Sequence, residues 1–376
     1  MTIARFIYDN PLKNTDLYFA AKFMSHDPVA FVEFKRKKYL VVDVLEFGRA
    51  KKQAHVDKVL LASDYKNNVE IRKGNPPDVA NIMDAIFKKL GAKILEVPGS
   101  FPLSLAEKFR AKKYKLVIAP SPFFPEKSKK GAREKSMMVE VQKNTFKLIA
   151  LVEKTLVKTR ISGNKLLFKG KTVTSEFLKE LVQIEAIRLG YDLKEGLIIA
   201  CGDDAIDPHC VGSGPIRPFK SIVVDIFGSS QKSLLWGDAT RTFCRGKATP
   251  ELKKLYSTVL QGQEMAIKSI RHGVNGRIVH EKVLKFFDSH GYKTGLLNGR
   301  HQGFIHGTGH GIGLDIHELP PFIAAKDCIL EAGNVTSVEP GLYYKGIGGV
   351  RIEDLVYVTK NGCEILAGYP KKLEIL

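Results

Sequence analysis

Between His306 and Glu353 the chain reads His-Gly-Thr-Gly-His-Gly-Ile-Gly-Leu-Asp-Ile-His-Glu, then Ser-Val-Glu-Pro-Gly-Leu-Tyr-Tyr, then Gly-Gly-Val-Arg-Ile-Glu-Asp. His306 and His310 stand four apart, His317 follows seven later, and Glu339 and Glu353 are fourteen apart. Upstream, Asp225 closes the apolar run Ser-Ile-Val-Val, and Asp238 precedes Ala-Thr-Arg-Thr-Phe. Two aspartates, one histidine and two glutamates in apolar strand settings form a set of hard oxygen donors with one imidazole. Such a set suits a pair of divalent cations better than one. A carboxylate buried without a partner costs on the order of several kcal/mol, and a shared cation removes that cost. The histidine segment is not a zinc-protease helix, because glycine opposes helix and His-Glu-x-x-His is absent. Gly307, Gly309, Gly311 and Gly313 are expected to let backbone lie close to a ligand. Gly170-Lys171-Thr172 is not a phosphate loop, since the preceding Gly163 is seven residues back.

These side chains need strands to carry them. Lys220–Asp225 and Leu234–Phe243 are predicted to be two arms of a hairpin turned by Gly228-Ser-Ser-Gln-Lys-Ser, with both aspartates at one level. Val335-Thr-Ser-Val-Glu339 is a strand stopped by Pro340-Gly341, and Gly349-Val-Arg351-Ile-Glu353 begins the next, so the glutamates mirror the aspartates. Arg351, two residues from Glu353, points to the same face. Two roles are open to it, a clamp on a carboxylate and a contact to substrate. Apolar spacing and end signals predict helices over 133–157, over 174–189 with Gly190 beyond, from Thr249-Pro250 onward, and over 274–291. The last two are expected to be structural cover, with His280 and His290 on the surface.

A chain of 376 residues exceeds one ordinary core, and roughly 100–200 residues per domain predicts two. The Pro-, Lys- and Ser-rich stretch from Pro120 to Gly131 marks the joint, giving domains 1–130 and 131–376. The first domain alternates strand and helix: a hairpin of Ala30–Phe34 and Tyr39–Phe47 about Lys35-Arg-Lys-Lys38, helices over 78–89 and 103–113, strands over 93–97 and 114–119. That pattern predicts an α/β domain with some parallel pairing. It holds no phosphate loop and no ligand cluster, and reads as a helper domain without chemistry. The five cysteines are scattered and form no Cys-x-x-Cys, which predicts reduced thiols in a cytoplasm. Asp and Pro come too early for a secretory segment, and no apolar run reaches the ~18–20 residues of a membrane span, so neither export nor a membrane partner is expected. The net charge of +19 is read as a lysine-rich solvated surface; without an aromatic-basic motif, no nucleic-acid partner is expected.

In their order and contexts Asp225, Asp238, His310, Glu339 and Glu353 resemble the metallopeptidases of the pita-bread fold, in the branch of Xaa-Pro aminopeptidase (aminopeptidase P) and prolidase. The likeness is strong over 130–376. It is weak before that, where Asn14-Thr-Asp-Leu-Tyr-Phe is similar to the start of the family's creatinase-like N-terminal α/β domain. The resemblance implies a pseudo-twofold αβ catalytic domain, a homo-oligomer (dimer or tetramer), a proline-containing peptide substrate, and two divalent ions. Mn²⁺ comes first among these, with Zn²⁺, Co²⁺ or Fe²⁺ as alternatives. By the same resemblance Asp225 chelates one ion, His310 and Glu339 the other, and Asp238 and Glu353 bridge them. A bridging hydroxide attacks the carbonyl before proline, and Glu339 shuttles its proton to the leaving nitrogen. His306 and His317 contact substrate and stabilise the oxyanion, and His209, after Asp207-Pro208, lines the pocket. The Asp225–Asp238 spacing exceeds the family pattern by two residues, which preserves strand parity. Two other readings compete: a non-catalytic module of this fold that binds peptide, protein or nucleic acid, and a metal-free member such as those that hydrolyse creatine. The complete ligand set speaks against both. A methionine aminopeptidase would lack the first 130 residues. Aminopeptidase and dipeptidase are not separable from these residues.

Overall fold

The computed structural model describes residues 3–68, 78–322 and 327–376. The chain divides into two compact units, Met1–Lys127 and Ser128–Leu376. No helix among the described residues is long and apolar enough to cross a membrane.

The first unit is built on one sheet. Strands β1 (Ile3–Asp9), β2 (Val29–Phe34), β3 (Lys37–Val42), β4 (Lys58–Leu61), β5 (Ile94–Val97) and β6 (Lys115–Ile118) lie in the order β4-β3-β2-β1-β5-β6. β1–β2 and β2–β3 are antiparallel, while β3–β4, β1–β5 and β5–β6 are parallel. Lys35 and Arg36 turn the β2–β3 hairpin with φ of 51° and 63°, the left-handed geometry of a tight two-residue turn. Helices α1 (Thr15–Ala21), α2 (Val44–Gln53), α3 (Val79–Leu90) and α4 (Leu103–Ala111) complete the unit. The strand expected through Phe47 ends at Val42. Asp43 then accepts a hydrogen bond from the Leu45 N–H and starts α2, a cap outweighing β propensity. Phe6 packs edge-to-face on Phe87 and Phe109, with ring centres 5.2 and 5.6 Å away.

The second unit uses one plan twice. Helices α5 (Ala132–Val157) and α6 (Ser175–Arg188) precede a hairpin of Ile222–Ser230 and Trp236–Arg245. Helices α7 (Pro250–Ser269) and α8 (Gly276–Ser289) precede a second hairpin, split into the ladders Val335–Val338/Asp354–Val358 and Gly341–Tyr344/Gly348–Arg351. Thr174, Thr249 and Asn275 cap α6, α7 and α8 through their side-chain oxygens, each satisfying an amide that the helix start leaves free. Leu252, Leu255 and Val259 of α7 share one core with Val283 and Phe287 of α8 and with Val338, Leu342, Val350 and Val356 of the ladders. The two hairpins belong to separate sheets.

The registers differ from expectation in one respect. Asp225 faces Thr240 and Asp238 faces Phe227, so the aspartates are diagonal neighbours and not level. Alternation by two still puts Asp225, Phe227, Asp238 and Thr240 on one face. The turn 231–235 joins the two strands, and Leu234 in it has a φ of 59°. In the second hairpin Val338 pairs with Asp354 and Gly341 with Arg351. Both ladders therefore share one register, which sets Glu339 opposite Glu353 across the break between them. Three of the glycines around His310 also have close neighbours within the chain. A side chain at Gly309 or Gly311 would strike the carbonyls of Ser337 or Leu319, and one at Gly313 would strike Lys130 and Glu318. Neighbouring backbone leaves no room for a side chain at Gly309 and Gly311, and two side-chain ends crowd Gly313.

Candidate metal centre

Asp238, His310 and Glu353 each offer one ligand atom, and these atoms lie within 4.8 Å of one another. His310 Nε2 is 3.2 Å from Glu339 Oε1 and 3.6 Å from Asp238 Oδ2. Its other nitrogen, Nδ1, lies 3.2 Å from the Gly311 carbonyl. With Nδ1–H donating there, the Nε2 lone pair faces two carboxylates. Lone pair and carboxylates repel, so a proton or a cation must stand between them. In the metal-free chain it is a proton. Burial alone would lower the His310 pKa, but the hydrogen bond and charge of Glu339, with the charge of Asp238, raise it to about 9. Burial would raise Glu339, yet protonated His310 holds it at about 2. Ser337 Oγ, 3.0 Å from Glu339 Oε1, donates to it and accepts from the His310 amide at 3.0 Å.

The remaining carboxylates are deeper. Asp225 Oδ2 receives Arg351 Nη2 at 2.6 Å, and Glu353 Oε2 receives Thr240 Oγ1 at 2.8 Å. Their second oxygens, Asp225 Oδ1 and Glu353 Oε1, are buried and meet no hydrogen-bond donor. Burial is the main force raising the pKa of Asp225, Asp238 and Glu353. Mutual repulsion adds to it: Asp225 acts on Asp238, and Asp238 on Glu353. Acids stripped of water, repelling one another and with two oxygens orphaned, are stabilised by cations placed among them. The donors fit: carboxylate oxygens with one imidazole suit hard or borderline divalent ions.

Around this core the histidines differ. His306 is tied at both nitrogens, Nδ1 to the Gly307 carbonyl at 2.8 Å and Nε2 to the Tyr343 hydroxyl at 2.9 Å. Burial lowers its pKa to about 4, so it is neutral at pH 7. His317 is exposed, its ring centre 4.5 Å from that of His310. His209 is also exposed, and its charge reaches both His306 and His317. Arg351 is buried and has its contacts within the protein: Asp225, Tyr343 Oη at 2.9 Å, Thr240 Oγ1 at 3.2 Å and the Pro208 carbonyl at 3.2 Å. Of the two roles open to it, the clamp on a carboxylate has its partners in the structure.

Residues 150–360 match the profile of metallopeptidase family M24, more than half of the chain and a span that holds every candidate residue above. The chain belongs to this family. An uncharacterized peptidase of Bacillus subtilis, YqhT, is 34% identical to this M24 chain over 180 residues, 48% of each protein. A Xaa-Pro dipeptidase of Lactobacillus delbrueckii subsp. lactis is 29% identical over 238 residues, 60% of this chain and 61% of that one. The chain thus spans about half to three fifths of these curated relatives. In fold, a crystallised Xaa-Pro dipeptidase from Bacillus anthracis superposes with a TM-score of 0.81 at 23% identity, covering 99% of this chain and 95% of the other. The second unit of the M24 chain is accordingly a pita-bread fold.

Several supports of the M24 site escape a linear reading. Thr240 bonds Glu353 and Arg351; its position two residues beyond Asp238 on the same face was a usable signal. Arg241, 1% exposed, donates to the carbonyls of Thr240 (2.9 Å) and Glu353 (2.6 Å) and to Asp354 Oδ1 (2.7 Å). Gln263 joins Asp354 to the Val338 carbonyl. The buried pair Lys130–Glu318 holds the segment before His317, since Glu318 Oε1 also accepts the amides of Leu314 and Asp315. His290 is exposed as expected, but His280 is buried. It packs on Phe304 and meets Thr308 Oγ1 at 3.0 Å, and the Thr308 carbonyl takes the Glu339 amide. The expectation of a surface His280 is therefore corrected.

Proposed function

We propose that this chain is a metal-dependent peptidase that cleaves peptide bonds preceding proline. Its ions are held by Asp225, Asp238, His310, Glu339 and Glu353. The supporting observation is the cage itself: ligand atoms of Asp238, His310 and Glu353 within 4.8 Å of one another, beside buried oxygens of Asp225 and Glu353 that meet no donor, in an M24 chain with a relative named as a Xaa-Pro dipeptidase. Divalent ions so held supply Lewis acidity and bring the pKa of water from about 15.7 toward ~7. Donor chemistry favours Mn²⁺, with Zn²⁺, Co²⁺ and Fe²⁺ as competitors.

The protein groups then divide the work. Glu339, oriented by Ser337, accepts the proton of the attacking water and delivers it to the proline nitrogen. His317, exposed beside His310, and neutral His306 with Tyr343 flank the space where the scissile carbonyl must lie. We assign them to the charge that develops on its oxygen. His209 lines the same space. Arg351 fixes Asp225 through its hydrogen bond to Oδ2, and its charge opposes the rise that burial imposes on the acid. Cys201, Cys210, Cys244 and Cys363 are free thiols, which supports a reducing compartment such as the cytoplasm.

The deciding experiment compares a Xaa-Pro dipeptide with a Xaa-Pro-peptide, each without metal and with added Mn²⁺, Zn²⁺, Co²⁺ or Fe²⁺, and with an Xaa-Ala control. Release of proline from the dipeptide, or of the first residue from the longer peptide, supports the reading and separates dipeptidase from aminopeptidase. Equal hydrolysis of the alanine control, or no turnover with any of the four ions, would sink it.

A further inference from the structure

The strand Trp236–Arg245 has two unlike edges. One pairs along its length with Ile222–Ser230; on the other, Glu374–Ile375 pairs with Cys244 and Arg245. The backbone N–H and C=O of Asp238 lie on this second edge, where no strand among the described residues meets them. Buried backbone groups need partners, and α5 supplies one side chain for both. Gln142, fully buried, donates its Nε2 to the Asp238 carbonyl at 2.7 Å and accepts the Asp238 N–H on Oε1 at 3.0 Å. This is the double exchange of a neighbouring strand, made by one planar amide.

Two residues along the same edge, the Thr240 carbonyl accepts the Glu353 N–H at 3.1 Å. Successive outward positions of one strand are thus fixed, one by Gln142 and one by the segment that bears Glu353. The height and rotation of Asp238 relative to Glu353 are set by these bonds. Glutamate at 142 would lack the donor and asparagine the reach; an apolar side chain would leave both Asp238 groups unpaired.

We propose that Gln142 is a positioning residue of the metal centre, holding the Asp238 backbone so that its carboxylate meets His310 and Glu353. The inference rests on reading that cluster as a divalent-cation site. Its test is Mn²⁺ affinity, measured on the full metal-free chain by competition with a chromophoric chelator, for wild type, Gln142→Leu, Gln142→Glu and Thr145→Val. Thr145, one turn along α5, bonds Tyr191 at 2.6 Å and is a control for buried polar loss on the same helix. Both Gln142 variants are expected to bind Mn²⁺ about 10- to 100-fold more weakly, with unchanged far-ultraviolet circular dichroism, while Thr145→Val binds as wild type. Affinity within twofold of wild type in Gln142→Leu, or an equal loss in Thr145→Val, would overturn the inference. So would Gln142 variants that cannot fold metal-free while Thr145→Val does. A wild-type chain that binds none of Mn²⁺, Co²⁺ or Zn²⁺ would instead overturn the site reading beneath it.

Discussion

Replacing Glu353 by glutamine should make the metal-free protein more stable and the metal-loaded protein less so. Glu353 Oε1 is buried without a donor, and its acid is raised by burial first and by Asp238 and Glu339 next. In Glu353→Gln the retained oxygen keeps Thr240 Oγ1, and the new amide donates toward Asp238. An unsatisfied buried acceptor costs ~1–3 kcal/mol, so the metal-free variant gains about that much. For a unit the size of Ser128–Leu376, 1 kcal/mol moves Tm by roughly 2–4 °C, which gives an upward shift of ~2–12 °C. Mn²⁺ at 1,000 times its Kd adds about 4.1 kcal/mol to wild type and little to the variant, so the order reverses. Scanning calorimetry in EDTA and in Mn²⁺ reads both orders. The pH dependence has a definite sign. An acid whose folded pKa lies above its unfolded value binds more protons folded, so its contribution worsens as pH rises above ~4.3 toward the raised value. Metal-free wild type should lose stability across that window faster than the variant. A metal-free Glu353→Gln that melts below wild type would refute the idea of a frustrated, cation-seeking cage.

Because His310 holds a proton to about pH 9 in the metal-free chain, Mn²⁺ must displace it at pH 7, and apparent affinity should rise up to about tenfold per pH unit below that value. Calorimetric titration in buffers of different ionisation enthalpy counts the released protons; a pH-independent Kd would contradict the His310–Glu339 geometry. Lys130→Met leaves Glu318 charged and buried, a loss of about 3–5 kcal/mol in urea unfolding; Lys130→Met with Glu318→Gln should recover most of it, and a simple sum of the single effects would exclude the pairing. In the first unit, burial would raise the Asp84 pKa, but hydrogen bonds from Lys88 and Tyr114 and the charge of Lys112 hold it below the usual carboxylate range. Its stabilisation is present above the unfolded value and lost as pH falls through the folded one. Asp84→Asn should therefore cost ~1 kcal/mol at pH 7 and nothing in strong acid, as read from chemical denaturation at each pH.

What could be read from the residues alone follows from period. An apolar strand alternates by two, so Asp225 and Asp238 could be assigned to one face before any register was known, and the longer spacing was harmless because it kept parity. Their level could not be assigned, because register depends on how the turn closes, and the chain closes it over 231–235 with Leu234 left-handed. Glu339 and Glu353 were legible for the opposite reason: Pro340 has no N–H to give a ladder, so the break had to fall there. Helix starts were visible in Thr174 and Thr249, yet Asp43 was passed over because the apolar residues after it suit a strand equally well. His280 could have been found. It stands three residues before Val283 and seven before Phe287, on the buried stripe of α8. The supports Gln142, Lys130 and Arg241 carry no such mark. Each touches a partner roughly a hundred residues or more away, and each is needed only because a strand edge or a loop lacks a neighbour. That lack is a property of the assembled sheet. Periodicity locates groups that face a common centre; the groups that hold them there are defined by missing partners, which exist only once the chain has folded.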